Sequence, residues 1–154
     1  MAAVKTGAKI PEFTVPTTAG DFRLGARNDG NLVIYFYPRD NTPGCTTEGS
    51  DFGELAPAFR RLRTRILGIS TDTIESHRRF RDKMKFPFEL GSDEDHSVAA
   101  LFGVWKQKNM YGRKMMGIER STFLIDTKGV LRQEWRKVRV PGHAAEVLAA
   151  AREL

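Results

Sequence analysis

Residues 32–37, Leu-Val-Ile-Tyr-Phe-Tyr, form an unbroken apolar run of β-branched and aromatic side chains that Pro38 ends. A strand with no polar face must be covered on both sides, so the chain has to supply a layer above it and a layer below it. Residues 65–70, Arg-Ile-Leu-Gly-Ile-Ser, read as a second buried strand. Helical patterns follow both runs, which points to βαβ units rather than an all-β or all-α fold.

The rest of the chain can be placed around these two strands. Residues 10–24 alternate apolar and polar about Ala19-Gly20-Asp21 and read as a β-hairpin. Residues 27–30 are a turn. Thr42-Pro43 matches a helix start, with a hydroxyl cap and proline at the first position. That helix is expected to reach Ser50, weakened by Gly49 and Gly53, with a second segment from Pro57 to about Arg63. Asp72 or Thr73 caps a helix to about Lys83, with Ile74, His77 and Phe80 at helical spacing. Residues 86–90 are a short extended piece. Ser92 with Asp93, Glu94 and Asp95 opens a helix to Phe102, since acidic residues suit its positive end. Residues 103–117 are a loop or hairpin. Strands at 119–126 and 129–137 join through Thr127-Lys128-Gly129, and 143–154 close the chain as a helix. The order mixes βαβ units with an antiparallel pair. It predicts an α/β three-layer sandwich, with a central mixed β-sheet and an N-terminal β-hairpin, as one domain over residues 1–154.

The formal net charge is +6, which favours contact with anions. The basic residues are spread along the chain, from Arg60, Arg61, Arg63 and Arg65 through Arg78, Arg79 and Arg81 to Lys106, Lys108, Arg113 and Lys114. No zinc-finger, RNP or helix-turn-helix pattern accompanies them, so a solvated basic surface is expected and no nucleic-acid partner. No apolar run approaches the ~20 residues of a membrane span, and the first residues lack the apolar segment of a signal peptide. A cytoplasmic protein with no membrane partner is the expectation. His77, His96 and His143 lack metal-ligand spacing, and none fits a Cys–His–Asn hydrolase motif.

The chain carries a single cysteine, Cys45, at the start of the helix that follows the first buried strand. No internal disulfide is available to it. A free thiol with a pKa near ~8.5 is a weak nucleophile until ionised. Unpaired N–H groups and the dipole of a first helical turn favour a negative charge. Thr42, three residues back, can place a hydroxyl near the sulfur or cap the helix, and an arginine from elsewhere can pair with the thiolate. The strand–turn–helix path also puts the sulfur at the carboxyl edge of a sheet, where α/β folds place their sites. Position alone leaves Cys45 between a reactive thiol and an inert buried one.

Pro38-x-x-x-Thr42-x-x-Cys45 resembles the active-site motif of peroxiredoxins, and FYPRDNTPGCTTE resembles the Q-type, or bacterioferritin-comigratory, subgroup. Pro11-x-Phe13, LGISTD at 67–72, LFGVW at 101–105 and ERSTFLID at 119–126 extend the similarity along nearly the whole chain. The resemblance implies a thioredoxin-like fold and reduction of hydrogen peroxide or alkyl hydroperoxides, with no metal, haem or flavin cofactor. It implies that Cys45 is the peroxidatic cysteine and that Thr42 hydrogen-bonds the peroxide and the sulfur. Pro38 would shield the pocket, and Arg120 would pair with the thiolate and polarise the peroxide. Glu48 is a candidate to hydrogen-bond Arg120 and orient it, against a solvated helix carboxylate. Tyr37 is a candidate pocket residue, against plain packing. Trp105, Met110, Met115 and Met116 are candidates for an apolar collar, with ordinary packing the preferred account.

Many Q-type members carry a resolving cysteine five residues after the first, and others carry it in the helix after the second strand. Here the first position is Ser50 and residues 73–85 hold no cysteine. The chain therefore looks like a one-cysteine enzyme, whose sulfenic acid is reduced by an external thiol. Thioredoxin, glutaredoxin, a low-molecular-weight thiol, or Cys45 of another subunit would serve. A monomer is expected by the same resemblance. The alternative function is a thioredoxin-like redox sensor or holdase without turnover, which would need fewer of these groups than the full Pro38, Thr42, Cys45 and Arg120 set.

Overall fold

The computed structural model describes residues 4–25 and 28–154. The chain runs β1 (Phe13–Thr17), β2 (Gly20–Leu24), β3 (Asn31–Phe36), α1 (Pro43–Arg61), β4 (Thr64–Ser70), α2 (Ile74–Met84), β5 (Glu89–Ser92), α3 (Ser97–Leu101), β6 (Trp105–Met110), β7 (Arg113–Ile118), β8 (Ser121–Ile125), β9 (Leu131–Trp135) and α4 (His143–Ala151). Seven strands form one mixed sheet in the order β2-β1-β5-β4-β3-β8-β9, while β6 and β7 pair separately as a hairpin. The central β3 runs parallel to β4 and antiparallel to β8.

Both buried runs lie where the apolar pattern puts them, at the middle of the sheet. Because side chains alternate across a strand, β3 feeds two cores. Leu32, Ile34 and Phe36 face one side with Val98 and Phe102, next to α3. Val33 and Tyr35 face the other with Phe52 and Phe59 of α1, Phe80 of α2 and Val147 of α4. The three layers are uneven, with one five-residue helix on the first face and three longer helices on the second. None of the described helices is long and apolar enough to cross a membrane. Arg27, at the start of the expected 27–30 turn, lies outside the described residues.

Three local expectations are corrected. A single helix, α1, replaces the two segments expected around Gly49, Gly53 and Pro57. At Gly49 a Cβ would sit 2.4 Å from Cζ of Phe86, and at Gly53 it would sit 3.4 Å from Cδ of Pro87. These glycines are where the helix meets the 86–87 segment, so packing overrides helix propensity there. The extended piece expected at 86–90 pairs only from Glu89 onward, because Phe86 and Phe88 stack on each other instead, 5.2 Å apart. The helix expected from Ser92 begins at Ser97. Asp93 causes the delay, its carboxylate accepting from the amides of Val98 (3.1 Å) and Ala99 (2.8 Å) across the intervening loop.

The sheet register sets the site. β3 delivers the chain to α1 at its carboxyl end, and Phe36 pairs with Ser121 at the start of β8. Arg120, one residue before β8, is thereby placed beside the entry to α1.

Candidate active site

Thr42 is the N-cap of α1, and Pro43 occupies the first turn. The first intrahelical bond described runs from the amide of Thr46 to the carbonyl of Thr42, at 2.9 Å. Cys45 therefore lies within the first turn, where amides are not yet committed to the helix. The residue is 2% exposed, so the sulfur is buried rather than on the surface.

Arg120 joins this turn to the neighbouring helix residue Glu48. Its Nη2 donates to Sγ of Cys45 at 3.3 Å and its Nη1 donates to Oε1 of Glu48 at 2.5 Å. One guanidinium thus bridges sulfur and carboxylate, which uses its planar fork as a lysine could not. Gly44 makes room for it, since a Cβ there would meet Nη2 at 3.2 Å. Glu48 is 1% exposed, which rules out the solvated helix carboxylate. Burial pushes the Glu48 carboxyl up to about 7, against the pull of Arg120. Its Oε2 has no partner among the described residues. Burial alone would lower the pKa of Arg120, but Glu48 and Cys45 outweigh it and raise it.

Two further basic groups feel burial first and the same guanidinium second. Burial, then Arg120, hold the half-buried Lys108 of β6 below its ordinary value. His143, at the start of α4, is lowered to about 4 by burial and by Arg120. Its Nε2 lies 2.8 Å from Oγ1 of Thr122 on β8.

Thr42 caps α1 with its backbone only, and none of the described hydrogen bonds joins its hydroxyl to the sulfur. Its hydroxyl donates to the carbonyl of Arg39 at 2.9 Å, with no side-chain cap on α1. Pro38 is half-buried in the loop leading to Thr42. Tyr37 is buried, but its hydroxyl donates to Asp40 at 2.6 Å. Of the apolar collar, Trp105 stacks on His96 at 4.3 Å. Met115 and Met116 are 53% and 51% exposed, so ordinary packing does not account for them. The Met110 side chain lies outside the described ones.

Sequence reasoning did not single out Asp40. It lies in the same loop, buried, and its Oδ2 is 2.8 Å from Nδ1 of the buried His77 on α2. Burial alone would raise the pKa of Asp40, but the hydrogen bond and charge of His77, with the hydroxyls of Tyr37 and Ser76, hold it below the usual carboxylate value. Asp40, Asp72 and His77 could in geometry approach one ion, yet both ring nitrogens of His77 already face hydrogen-bond partners. No signal of spacing links positions 40 and 77.

A thiol in a helix's first turn, held by an arginine just before the strand that pairs with β3 at a sheet's carboxyl edge, defines a thioredoxin-like redox site built on one cysteine. The chain belongs to the AhpC/TSA family, whose model matches residues 6–134, and with it to the peroxiredoxins, which are thiol peroxidases. Over 119 residues it is 56% identical to peroxiredoxin Bcp of Xanthomonas campestris, covering 77% of this chain and 74% of that one. Over 152 residues it is 43% identical to peroxiredoxin Bcp of Bacillus subtilis, covering 98% and 97%. Among solved structures, the X. campestris bacterioferritin comigratory protein, described for its alkyl peroxide reduction activity, matches with a TM-score of 0.88 at 45% identity, covering 99% and 98%. PrxQ of Xylella fastidiosa matches with a TM-score of 0.91 at 39% identity, covering 97% and 96%.

Proposed function

We propose that Cys45 is the nucleophile of this thiol peroxidase, that hydrogen peroxide and alkyl hydroperoxides are its substrates, and that an external thiol completes the cycle. The observation that carries the reading is the 3.3 Å approach of Arg120 Nη2 to Cys45 Sγ, with the other arm of the guanidinium held by Glu48. The Cys45 thiolate attacks the terminal oxygen of the hydroperoxide. An S–O bond forms as the O–O bond breaks. The sulfur loses two electrons to become a sulfenic acid, and the departing alkoxide takes a proton and leaves as an alcohol.

Charge grows on the leaving oxygen, and Arg120 together with the amides of the first α1 turn are fixed donors for it. With its proton committed to Arg39, the Thr42 oxygen acts as an acceptor and receives the O–H of the bound hydroperoxide. Pro38 shields Cys45. Glu48 holds the guanidinium in plane. Tyr37 serves the loop through Asp40 rather than lining the pocket.

The chain has one cysteine, so no intramolecular disulfide relieves the sulfenic acid. A first external thiol condenses with it, releasing water, and a second frees Cys45. Thioredoxin, glutaredoxin and small thiols are the candidate reductants. The chain works as one domain, a monomer, in the reducing cytoplasm. The test is peroxide turnover by the parent and by Cys45→Ser with each reductant in parallel. The parent is expected to turn over with at least one of them and Cys45→Ser with none. A Cys45→Ser protein that consumes peroxide at the parent rate would overturn the reading.

A further inference from the structure

The loop between Pro38 and Thr42 carries its own buried anchor. Asp40, at its centre, is gripped from three sides. Oδ1 accepts from the Tyr37 hydroxyl (2.6 Å) and Oδ2 from the Ser76 hydroxyl (2.8 Å), while the Asp40 amide donates to Oδ2 of Asp72 (2.9 Å). Asp72 is itself tied to Oγ of Ser70 (2.5 Å), and its carbonyl accepts from Ser92 (2.6 Å). The loop is thereby stitched to the ends of β4 and β5 and to α2.

His77 closes the network, and its two nitrogens fix how the protons lie. Nε2 is 2.8 Å from the carbonyl of Gly91, an acceptor only, so Nε2 carries a proton. Nδ1 is 2.8 Å from Oδ2 of Asp40. A carboxylate there accepts only, so the contact is a donation from Nδ1, and the two side chains form an ion pair when both ring nitrogens hold protons. His77 is fully buried and the Asp40 side chain is 2% exposed. A buried pair of this kind is weak evidence for stability, because desolvation offsets the attraction. What it provides is a single geometry, since any other position of the loop leaves a buried charge without its partner.

We propose that His77 is a positioning residue for the peroxide reaction: through its buried ion pair with Asp40 it locks the 38–42 loop, and with it Pro38 and the Thr42 hydroxyl, against Cys45. The inference rests on the reading of Cys45 as the peroxide-reducing thiol. Asp40 lies two residues from Pro38 and two from Thr42, and Asn41 between them adopts a left-handed φ of 64°. Such a conformation persists only where its surroundings over-determine it, and the Asp40 anchor supplies that. Asp72, whose carboxylate lies within 4.8 Å of both members of the pair, holds the backbone of the same loop.

The test combines rates with a spectroscopic signature. Second-order rate constants for oxidation of Cys45 by peroxide are measured for the parent, His77→Gln, Asp40→Asn and the double variant, each shown to be folded at the assay temperature. The inference expects each single variant to lose about tenfold or more, as misplacement of a reacting group does. It expects the double variant to be no slower than the slower single, because the two residues act as a unit. Nitrogen-15 spectra of the parent imidazoles should show His77 protonated at both nitrogens. If His77→Gln fails to fold, Ser76→Ala and Tyr37→Phe each remove one donor to Asp40 and are expected to slow the reaction by smaller factors. Folded variants reacting within about twofold of the parent, single losses that multiply, or an unprotonated Nδ1 would overturn it. A parent that does not react with peroxide at Cys45 would instead overturn the underlying reading, while the nitrogen signature would still report on the pair.

Discussion

Arg120 stands 3.3 Å from the sulfur of Cys45 although 75 residues separate them, and the same guanidinium reaches Glu48 on the next turn of α1. The register of β3 against β8 brings this about, since Phe36 and Ser121 pair at the sheet's carboxyl edge. A donor fixed in advance beside the sulfur stabilises charge without reorganisation during the reaction.

Replacing Arg120 by Met should therefore slow peroxide oxidation of Cys45 by about 10²–10³, the cost of one lost preorganised donor. Arg120→Lys should recover little, because an ammonium cannot bridge Cys45 and Glu48 together. Stopped-flow oxidation rates check both. An Arg120→Lys protein as fast as the parent would show that charge alone suffices.

Gly44 offers a subtler probe of the same geometry. In Gly44→Ala the new Cβ would lie 3.2 Å from Nη2 of Arg120, so the guanidinium must give way. A loss of about tenfold or less in the oxidation rate is expected, given that a 1 Å misplacement costs about 10²-fold. Thermal stability should hold or rise, since alanine suits a helix better than glycine. Calorimetry beside kinetics separates the two effects.

Much of this site was legible early, and for local reasons. The buried run, Pro38, and Thr42-Pro43 together place Cys45 in a first helical turn without any tertiary information. Arg120 was different. Residue spacing gives no reason for it to meet Cys45, and only the motif's likeness to peroxiredoxins pointed there. The Asp40–His77 pair was legible in neither way. His77 fits the apolar spacing of α2 together with Ile74 and Phe80, so its polar bonds to Asp40 and Gly91 are invisible until the loop is folded onto the helix. The late start of α3 failed for a similar reason, because a carboxylate at Asp93 reaches across a loop to amides that local rules assign to a nearer cap.

Stability should carry a pH signature from Glu48. Its carboxyl rises from 4.5 to about 7 on folding, with burial as the main cause. A raised folded pKa contributes stability that is complete below 4.5 and is lost as pH rises through about 7. His143, lowered from 6.5 to about 4, acts the other way, its contribution being present above 6.5 and lost as pH falls through about 4. Glu48→Gln removes the first and leaves the second. Urea unfolding at about pH 5 and about pH 8 should show the parent losing about 1–3 kcal/mol relative to Glu48→Gln. Parallel pH profiles would contradict the burial of an ionisable Glu48.

The uninterrupted α1 depends on Gly49. A Cβ there would overlap the Phe86 ring, which is itself wedged edge-on to Phe80 at 5.0 Å and stacked on Phe88. Gly49→Ala should cost about 1–3 kcal/mol, as overpacking of a filled core does, in spite of the better helix propensity. Denaturant midpoints measure it directly.

The central claim is that Cys45 receives the peroxide oxygen. It is tested by treating the protein with one equivalent of alkyl hydroperoxide in the presence of a sulfenic-acid trap and locating the adduct by mass spectrometry. The account predicts a single trapped adduct at Cys45, absent from Cys45→Ser, with further oxidation of the same sulfur under excess peroxide because the chain offers no second thiol. Oxygen found instead on the exposed Met115 and Met116, with the Cys45 thiol intact, would contradict it.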